Sequence, residues 1–168
     1  MLRHQRPDLV VVALGFATAG DIALLIPGQN AFLAGMLGFL GTQVCFTVAF
    51  LRRGRPGWRA FAGYGLIWVL ANLLLWDRLG ALRVPVLLYS LALIAMAAAA
   101  AGVSRRVAAG GALFVVSDLL IGMGAAGLRP PAHGVLVMTT YAAALALIVT
   151  GWVRRRRPTS SALQQLAG

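Results

Sequence analysis

Six long apolar runs, separated by short polar links, constrain the fold of this chain more than any other feature of its sequence. A membrane-spanning helix needs about 20 predominantly apolar residues, and a helix satisfies its backbone polar groups within its own segment, as lipid requires. We therefore predict an all-α, polytopic transmembrane helix bundle that forms a single integral membrane domain over residues 1–168. Its six spans are predicted at about residues 9–26, 31–51, 60–76, 84–103, 107–128 and 132–153, followed by a basic cytoplasmic tail at 154–168.

The charged residues are few and of only two kinds. Hydrophobic residues make up 60% of the chain and charged residues 11%, with 15 arginines, four aspartates, no lysine and no glutamate. A soluble domain has about 25% charged residues, so this composition excludes an ordinary soluble globule and a disordered chain. The arginines stand in short clusters between apolar runs rather than among aromatic residues on a basic surface. The net charge of +11 therefore does not indicate nucleic-acid binding.

The distribution of arginines predicts the orientation of the bundle. With six spans, both tails face the same side of the membrane, and 12 of the 15 arginines fall on that side. The other side carries only Arg78, Arg83 and Arg129. Loops rich in Lys and Arg stay in the cytoplasm. We expect a multi-pass protein of the plasma membrane with the N- and C-termini in the cytoplasm.

The first run has an alternative interpretation as a cleaved signal peptide. Arg3, His4 and Arg6 precede the apolar stretch 9–16, and Ala17-Thr18-Ala19 follows it as an A-x-A cleavage site would. Cleavage there leaves five spans and does not change the orientation of the others. The polar Asp21 favours retention of the first span, and both readings remain open from the sequence.

Two aspartates, Asp21 and Asp118, lie within the apolar runs, where a carboxyl group is costly. At a rise of about 1.5 Å per residue, Asp21 lies about 18 Å and Asp118 about 16 to 17 Å from the cytoplasmic ends of their spans. Burial in lipid favours the protonated form of a carboxyl, and two neighbouring carboxyls do not both ionise easily. The pair is therefore predicted to be catalytic, as a general acid and a general base. In the alternative reading, each stays neutral and hydrogen-bonds a neighbouring helix.

Five further polar side chains inside the spans are predicted to line a pocket that opens outward: Gln43, Asn72, Tyr89, Ser117 and Tyr141. Tyr141 falls at nearly the depth of Asp118, and the two are expected to meet if the last two helices pack side by side. The amides and the serine have an alternative role as interhelical hydrogen-bonding groups. Tyr89 has an alternative place in the aromatic belt near the membrane surface.

No metal, cofactor or covalent nucleophile is predicted. His4 and His133 are isolated from each other, and the single cysteine, Cys45, excludes an intramolecular disulfide and a cysteine-based zinc site. No G-x-S-x-G motif is present.

A row of small residues in the second run predicts close helix packing. Ala34, Gly38 and Thr42 recur at four-residue spacing, which places them on one face of a helix. Small residues on such a face let the backbones of two membrane helices approach each other.

Four short segments, in this order and spacing, resemble the YhhN-type lysoplasmalogenase family over about residues 9–153. They are Gly20-Asp21 with the Pro27-Gly28 turn, Pro85 to Tyr89 with Met96, the stretch Gly111 to Asp118, and Thr140-Tyr141 with Leu147-Ile148. The family pattern has eight spans, so the resemblance implies that this sequence lacks the first two. Gln43 stands where the family has a histidine.

The resemblance implies a membrane hydrolase that cleaves the vinyl ether bond of lysoplasmalogens to a fatty aldehyde and a glycerophospho-alcohol. Asp21 and Asp118 would supply the acid-base chemistry without a cofactor. The implied partners are the lysophospholipid substrate and bilayer lipid, and a homo-oligomer is left open. The alternative is a catalytically inactive lipid-binding protein, or a small transport or structural membrane protein, on the same scaffold.

Overall fold

A computed structural model of the protein describes residues 8–154, and these residues form six α-helices and no strand. The helices are α1 (Leu9–Leu24), α2 (Gln29–Leu51), α3 (Trp58–Leu75), α4 (Arg83–Ala101), α5 (Arg105–Ala125) and α6 (His133–Arg154). Two short 3₁₀ helices, Trp76–Arg78 and Gly80–Leu82, connect α3 to α4. The predicted all-α bundle is confirmed. Arg3, His4, Arg6 and the basic tail beyond Arg154 lie outside the described residues.

The first helix is shorter than the sequence predicts. It has 16 residues and ends at Leu24 rather than at Ile26, because the chain turns at Pro27-Gly28, where Gly28 has a φ of 121°. A helix of this length spans about 24 Å, against about 30 Å for the hydrocarbon core of a bilayer. The other five segments, from Gln29 onward, are long and apolar enough to cross a membrane.

Helix α4 occupies the centre of the bundle, with α2, α3 and α5 packed against it. The remaining two helices pair with their sequence neighbours, α1 with α2 and α6 with α5. Close approach to α4 depends on four fully buried alanines, residues 97–100. A Cβ on Gly111 of α5 would lie 2.9 Å from the Cβ of Ala100, so small residues on both sides set this separation.

The chain segments predicted to be cytoplasmic meet at one end of the bundle. The Trp152 indole nitrogen donates to Asp8 Oδ2 at 3.3 Å, and the Arg53 guanidinium lies 3.9 Å from the centre of the Trp152 ring. The backbones of Gly54 and Gly102 are also in contact. The arginine-bearing links, between α2 and α3 and between α4 and α5, therefore lie beside the start of α1 and the end of α6. This is the arrangement that helices of alternating direction require.

The small-residue face of α2 packs against α1, with one difference from the prediction. Gly38 lies against the backbone of Gly20, and the Thr42 hydroxyl donates to the carbonyl of Ala13 at 3.1 Å. Ala34, on the same face, is exposed instead. Close contact between α1 and α2 therefore rests on glycines and one threonine.

Candidate functional site

Asp118 lies at the centre of a buried polar network built by three helices. The Tyr89 hydroxyl, on α4, donates to Asp118 Oδ2, and the Gln43 side-chain amide, on α2, donates to the same oxygen at 3.3 Å. Asp118 itself, on α5, is 8% exposed. No hydrogen bond to Oδ1 is present within residues 8–154. Both donors thus hold one oxygen of the carboxyl and leave the other available.

Asp21 is bonded to a different tyrosine. The Tyr141 hydroxyl, on α6, donates to Asp21 Oδ2, on α1, at 2.9 Å. The Tyr141 ring packs edge-on against Phe39 and Phe114, with 5.8 Å between ring centres in each case. These two rings set the direction of the tyrosine. The expected contact between Tyr141 and Asp118 is therefore replaced by one between Tyr141 and Asp21, although α5 and α6 do pack side by side.

The two aspartate–tyrosine pairs are nevertheless neighbours. The Tyr141 ring packs against Phe114, which lies about one helical turn before Asp118 on α5. Tyr141, the partner of Asp21, thus contacts the helix that carries Asp118. The bundle concentrates its intramembrane acidic groups in this region.

A mainly apolar cavity of about 80 Å³ opens beside Asp118. Its walls come from α2, α3, α4 and α5, with one residue, Leu24, from α1. The apolar lining includes Phe32, Met36, Ile67 and Leu119. The polar lining consists of Trp68, Asn72, Tyr89, Ser90 and Asp118. Such a cavity suits a largely hydrocarbon ligand with a few polar groups.

A second polar cluster lies on the α3–α4 side of this cavity. The Asn72 amide nitrogen donates to the Trp68 carbonyl at 2.9 Å and to Ser90 Oγ at 3.3 Å. The Trp68 indole nitrogen donates to the same Ser90 oxygen at 3.0 Å. Asn72 Oδ1 is buried and has no partner within residues 8–154. A buried acceptor without a donor costs about 1–3 kcal/mol, so it calls for an explanation.

Two of the five residues predicted for the pocket line the cavity, and the others, Gln43, Ser117 and Tyr141, do not. Asn72 and Tyr89 line the cavity together with Asp118. Gln43 does not line the cavity and joins the network through its hydrogen bond to Asp118. Its Oε1 is a second buried acceptor without a partner within residues 8–154. Ser117 is fully buried and donates to the Val137 carbonyl at 3.2 Å, a hydrogen bond that joins α5 to α6.

Two polar residues of the cavity, Trp68 and Ser90, are not among the residues predicted from the sequence. A signal for both is present in the sequence. Trp68 precedes the candidate Asn72 by four residues, which places the two on one helix face. Ser90 directly follows the candidate Tyr89.

Metal ligands do not cluster in the part of the chain that the structure describes. No three His, Cys, Asp or Glu side chains there are close enough to hold a metal ion. His133 Nε2 lies 2.8 Å from the Leu120 carbonyl, a contact between α5 and α6.

Comparison with known proteins places the chain in a family. The model of the YhhN family matches residues 2–152. Two curated relatives, from Mycobacterium bovis and Mycobacterium tuberculosis, are each named lysoplasmalogenase and are 35% identical over 156 residues, or 85% of this chain. The chain spans 59% of the length of these relatives. No solved structure matches. With its several apolar helices the chain is a multi-pass membrane protein, and it belongs to the YhhN family.

Proposed function

We propose that the chain is a membrane lipid hydrolase of the lysoplasmalogenase type, which cleaves the vinyl ether bond of lysoplasmalogens. The family membership and the name shared by the two mycobacterial relatives support this reaction class. One observation carries the proposal: the Asp118 carboxyl lines an apolar cavity, with one oxygen held by two donors and the other unbonded within residues 8–154. An alkenyl chain matches the apolar walls, and a carboxyl beside it supplies a proton.

The position of that carboxyl supports the following reaction. The protonated Asp118 transfers its proton from Oδ1 to the β-carbon of the vinyl ether, and the π electrons of the double bond form the new C–H bond. The resulting oxocarbenium ion takes up water, whose released proton returns to the Asp118 carboxylate. The hemiacetal then loses its hydroxyl proton and breaks its C–O bond, and the departing glycerol oxygen takes up that proton, which yields a fatty aldehyde and a glycerophospho-alcohol. One water is consumed, and the carboxyl is regenerated.

The neighbouring side chains have supporting roles in this proposal. Tyr89 and Gln43 hold Asp118 Oδ2 as the acceptor of two hydrogen bonds, which directs Oδ1 toward the substrate. Asp21 does not line the cavity but holds the hydroxyl of Tyr141, whose ring packs against Phe114, about one helical turn before Asp118. The two aspartates then have unequal roles, with Asp118 acting on the substrate and Asp21 positioning the group beside it.

Aldehyde release from a pure substrate tests the function. The purified protein is expected to release fatty aldehyde from a 1-alkenyl lysophospholipid. The matched 1-alkyl lipid, which has a saturated ether, should remain intact because it has no double bond to protonate. Binding of both lipids with no release of aldehyde would instead support the alternative of an inactive lipid-binding protein.

We also propose that both termini face the cytoplasm of a plasma-membrane protein. The arginine-rich link between α2 and α3 lies at the same end of the bundle as both termini of the described chain, and loops rich in basic residues stay inside. In a Cys45→Ala background, an impermeant maleimide should label Ala81→Cys in intact cells and Arg55→Cys only after permeabilisation. Both positions are exposed, at opposite ends of the bundle. The reverse labelling pattern would refute this orientation.

A further inference from the structure

The unpaired oxygen of Asn72 is fixed in place by the hydrogen bonds of its own amide nitrogen. That nitrogen donates to the Trp68 carbonyl at 2.9 Å, and a carbonyl only accepts hydrogen bonds. The amide therefore cannot be reversed without placing two acceptors against each other. Its other hydrogen is directed to Ser90 Oγ, at 3.3 Å. Asn72 thus has both donors in use and its acceptor Oδ1 unused within residues 8–154.

The groups around Asn72 have no donor left to give it. Ser90 Oγ accepts from the Trp68 indole and from Asn72, and its single hydrogen is donated to the Leu87 carbonyl at 3.1 Å. The Trp68 indole has only one hydrogen, and Ser90 receives it. The cluster is consequently complete except for one acceptor. Asn72 is one of the residues that line the cavity beside Asp118, so an occupant of that cavity is the available source of a donor.

The chemistry of this acceptor limits what the donor can be. A carbonyl oxygen repels phosphate oxygens and ester carbonyls, which are acceptors as well, and it receives only O–H or N–H groups. A choline headgroup carries no such hydrogen. In a lysolipid, the free hydroxyl of the glycerol backbone lies on the carbon next to the one that bears the ether oxygen. It is therefore a few bonds from the atoms that Asp118 would protonate.

We propose that Asn72 is a specificity-determining residue whose Oδ1 accepts a hydrogen bond from the free glycerol hydroxyl of the lysolipid. This inference rests on the proposed function, because it takes the lysolipid as the occupant of the cavity. A lipid whose second hydroxyl is blocked leaves Oδ1 buried without a donor. The missing hydrogen bond lowers the affinity for that lipid. The residue thereby selects lipids with one chain and a free hydroxyl.

The test measures binding, so that it does not depend on hydrolysis. Two ligands with a saturated ether are compared, a 1-alkyl-2-hydroxy and a 1-alkyl-2-methoxy glycerophosphocholine, by calorimetric titration of the detergent-purified protein. The wild type should bind the hydroxy lipid about tenfold more tightly than the methoxy lipid, as expected for a buried acceptor that loses its donor. In Asn72→Leu, which has a similar size and no acceptor, the two affinities should become equal to within about twofold.

A matched variant separates hydrogen bonding from cavity shape. Leu75→Met alters another side chain of the same cavity wall, one turn along α3. It should shift the affinities for both lipids together and preserve their ratio. If Asn72→Leu fails to fold, Asn72→Ala replaces it. The ratio of the affinities for the hydroxy and methoxy lipids in that variant is then compared with the ratio in the wild type.

Equal binding of both lipids by the wild type would overturn the inference, and so would an undiminished preference in the Asn72 variants. Absence of binding by either lipid would overturn it as well. Failure of the proposed function gives a different result. A protein that binds the hydroxy lipid more tightly but releases no aldehyde would keep the recognition by Asn72 and lack the hydrolysis.

Discussion

Replacement of Asp118 by asparagine is expected to lower the rate of aldehyde release by about 10³-fold, within the range for loss of a positioned proton donor. Asparagine has the shape of the aspartate, and its side-chain oxygen still accepts from Tyr89 and Gln43, so the helices α2, α4 and α5 stay in place. It has no carboxyl proton to transfer to the vinyl ether. The measurement is the initial rate of aldehyde formation from a 1-alkenyl lysophospholipid.

Asp77→Asn is the matched control for this change. The Asp77 side chain is 95% exposed, lies in the link between α3 and α4, and makes one contact of 3.7 Å with Arg83. Exposed pairs of this kind contribute little, so the variant should retain the rate of the wild type to within about twofold. An Asp118→Asn protein with a rate near that of the control would exclude the acid role of Asp118.

Substitution of Gly38 by alanine is expected to lower the free energy of unfolding by about 2–3 kcal/mol, as overpacking of a tight contact does. The added Cβ would lie 2.8 Å from the Cα and N of Gly20 and 3.1 Å from the carbonyl oxygen of Phe16. All three are backbone atoms of α1, so no side chain can rotate aside. Thermal unfolding of the detergent-purified protein measures the effect as a lower Tm.

Gly63→Ala is the control for the change in helix propensity. Gly63 lies within α3, and a Cβ there would meet nothing within 4 Å. Alanine favours the helix over glycine by about 1 kcal/mol, so this variant should have the Tm of the wild type or a higher one. If Gly38→Ala unfolds at the same temperature as Gly63→Ala, the contact between α1 and α2 is looser than the structure describes.

The helices of the bundle follow from the sequence because hydrophobic length and turn residues act locally. Runs of about 20 apolar residues predict helices, and Pro27-Gly28 and Pro56-Gly57 separate them. The short α1 shows where this rule is incomplete. Leu25 and Ile26 are apolar, so hydropathy extends the span through them, while the turn at Gly28 ends the helix two residues earlier.

The membership of the candidate site follows only partly from the sequence, because depth along a helix does not give direction around it. Asp118 and Tyr141 have similar predicted depths, yet Tyr141 points to Asp21 between two phenylalanine rings. Ser117 is adjacent to Asp118 but is turned by about 100° around the helix, toward α6 instead of the cavity. Packing between helices decides such directions, and a single sequence does not record it.

The partners of Asn72 illustrate the same limit. Its place within a span predicts a buried amide, and an interhelical hydrogen bond is the ordinary expectation. That bond exists, to Ser90 of α4. The unpaired oxygen on the other side of the amide becomes visible only when Trp68 and Ser90 are placed beside it.

The most direct test of the account is vinyl ether cleavage by the wild-type protein in D₂O. The aldehyde is reduced at once to the alcohol with borohydride and analysed by mass spectrometry. If the proton is transferred to the β-carbon, the alcohol should carry one deuterium on the carbon next to the carbinol carbon. The rate at which this deuterated product forms should fall strongly in Asp118→Asn. A product without that deuterium would contradict protonation of the vinyl ether by Asp118. The same conclusion would follow if Asp118→Asn formed the deuterated product as fast as the wild type.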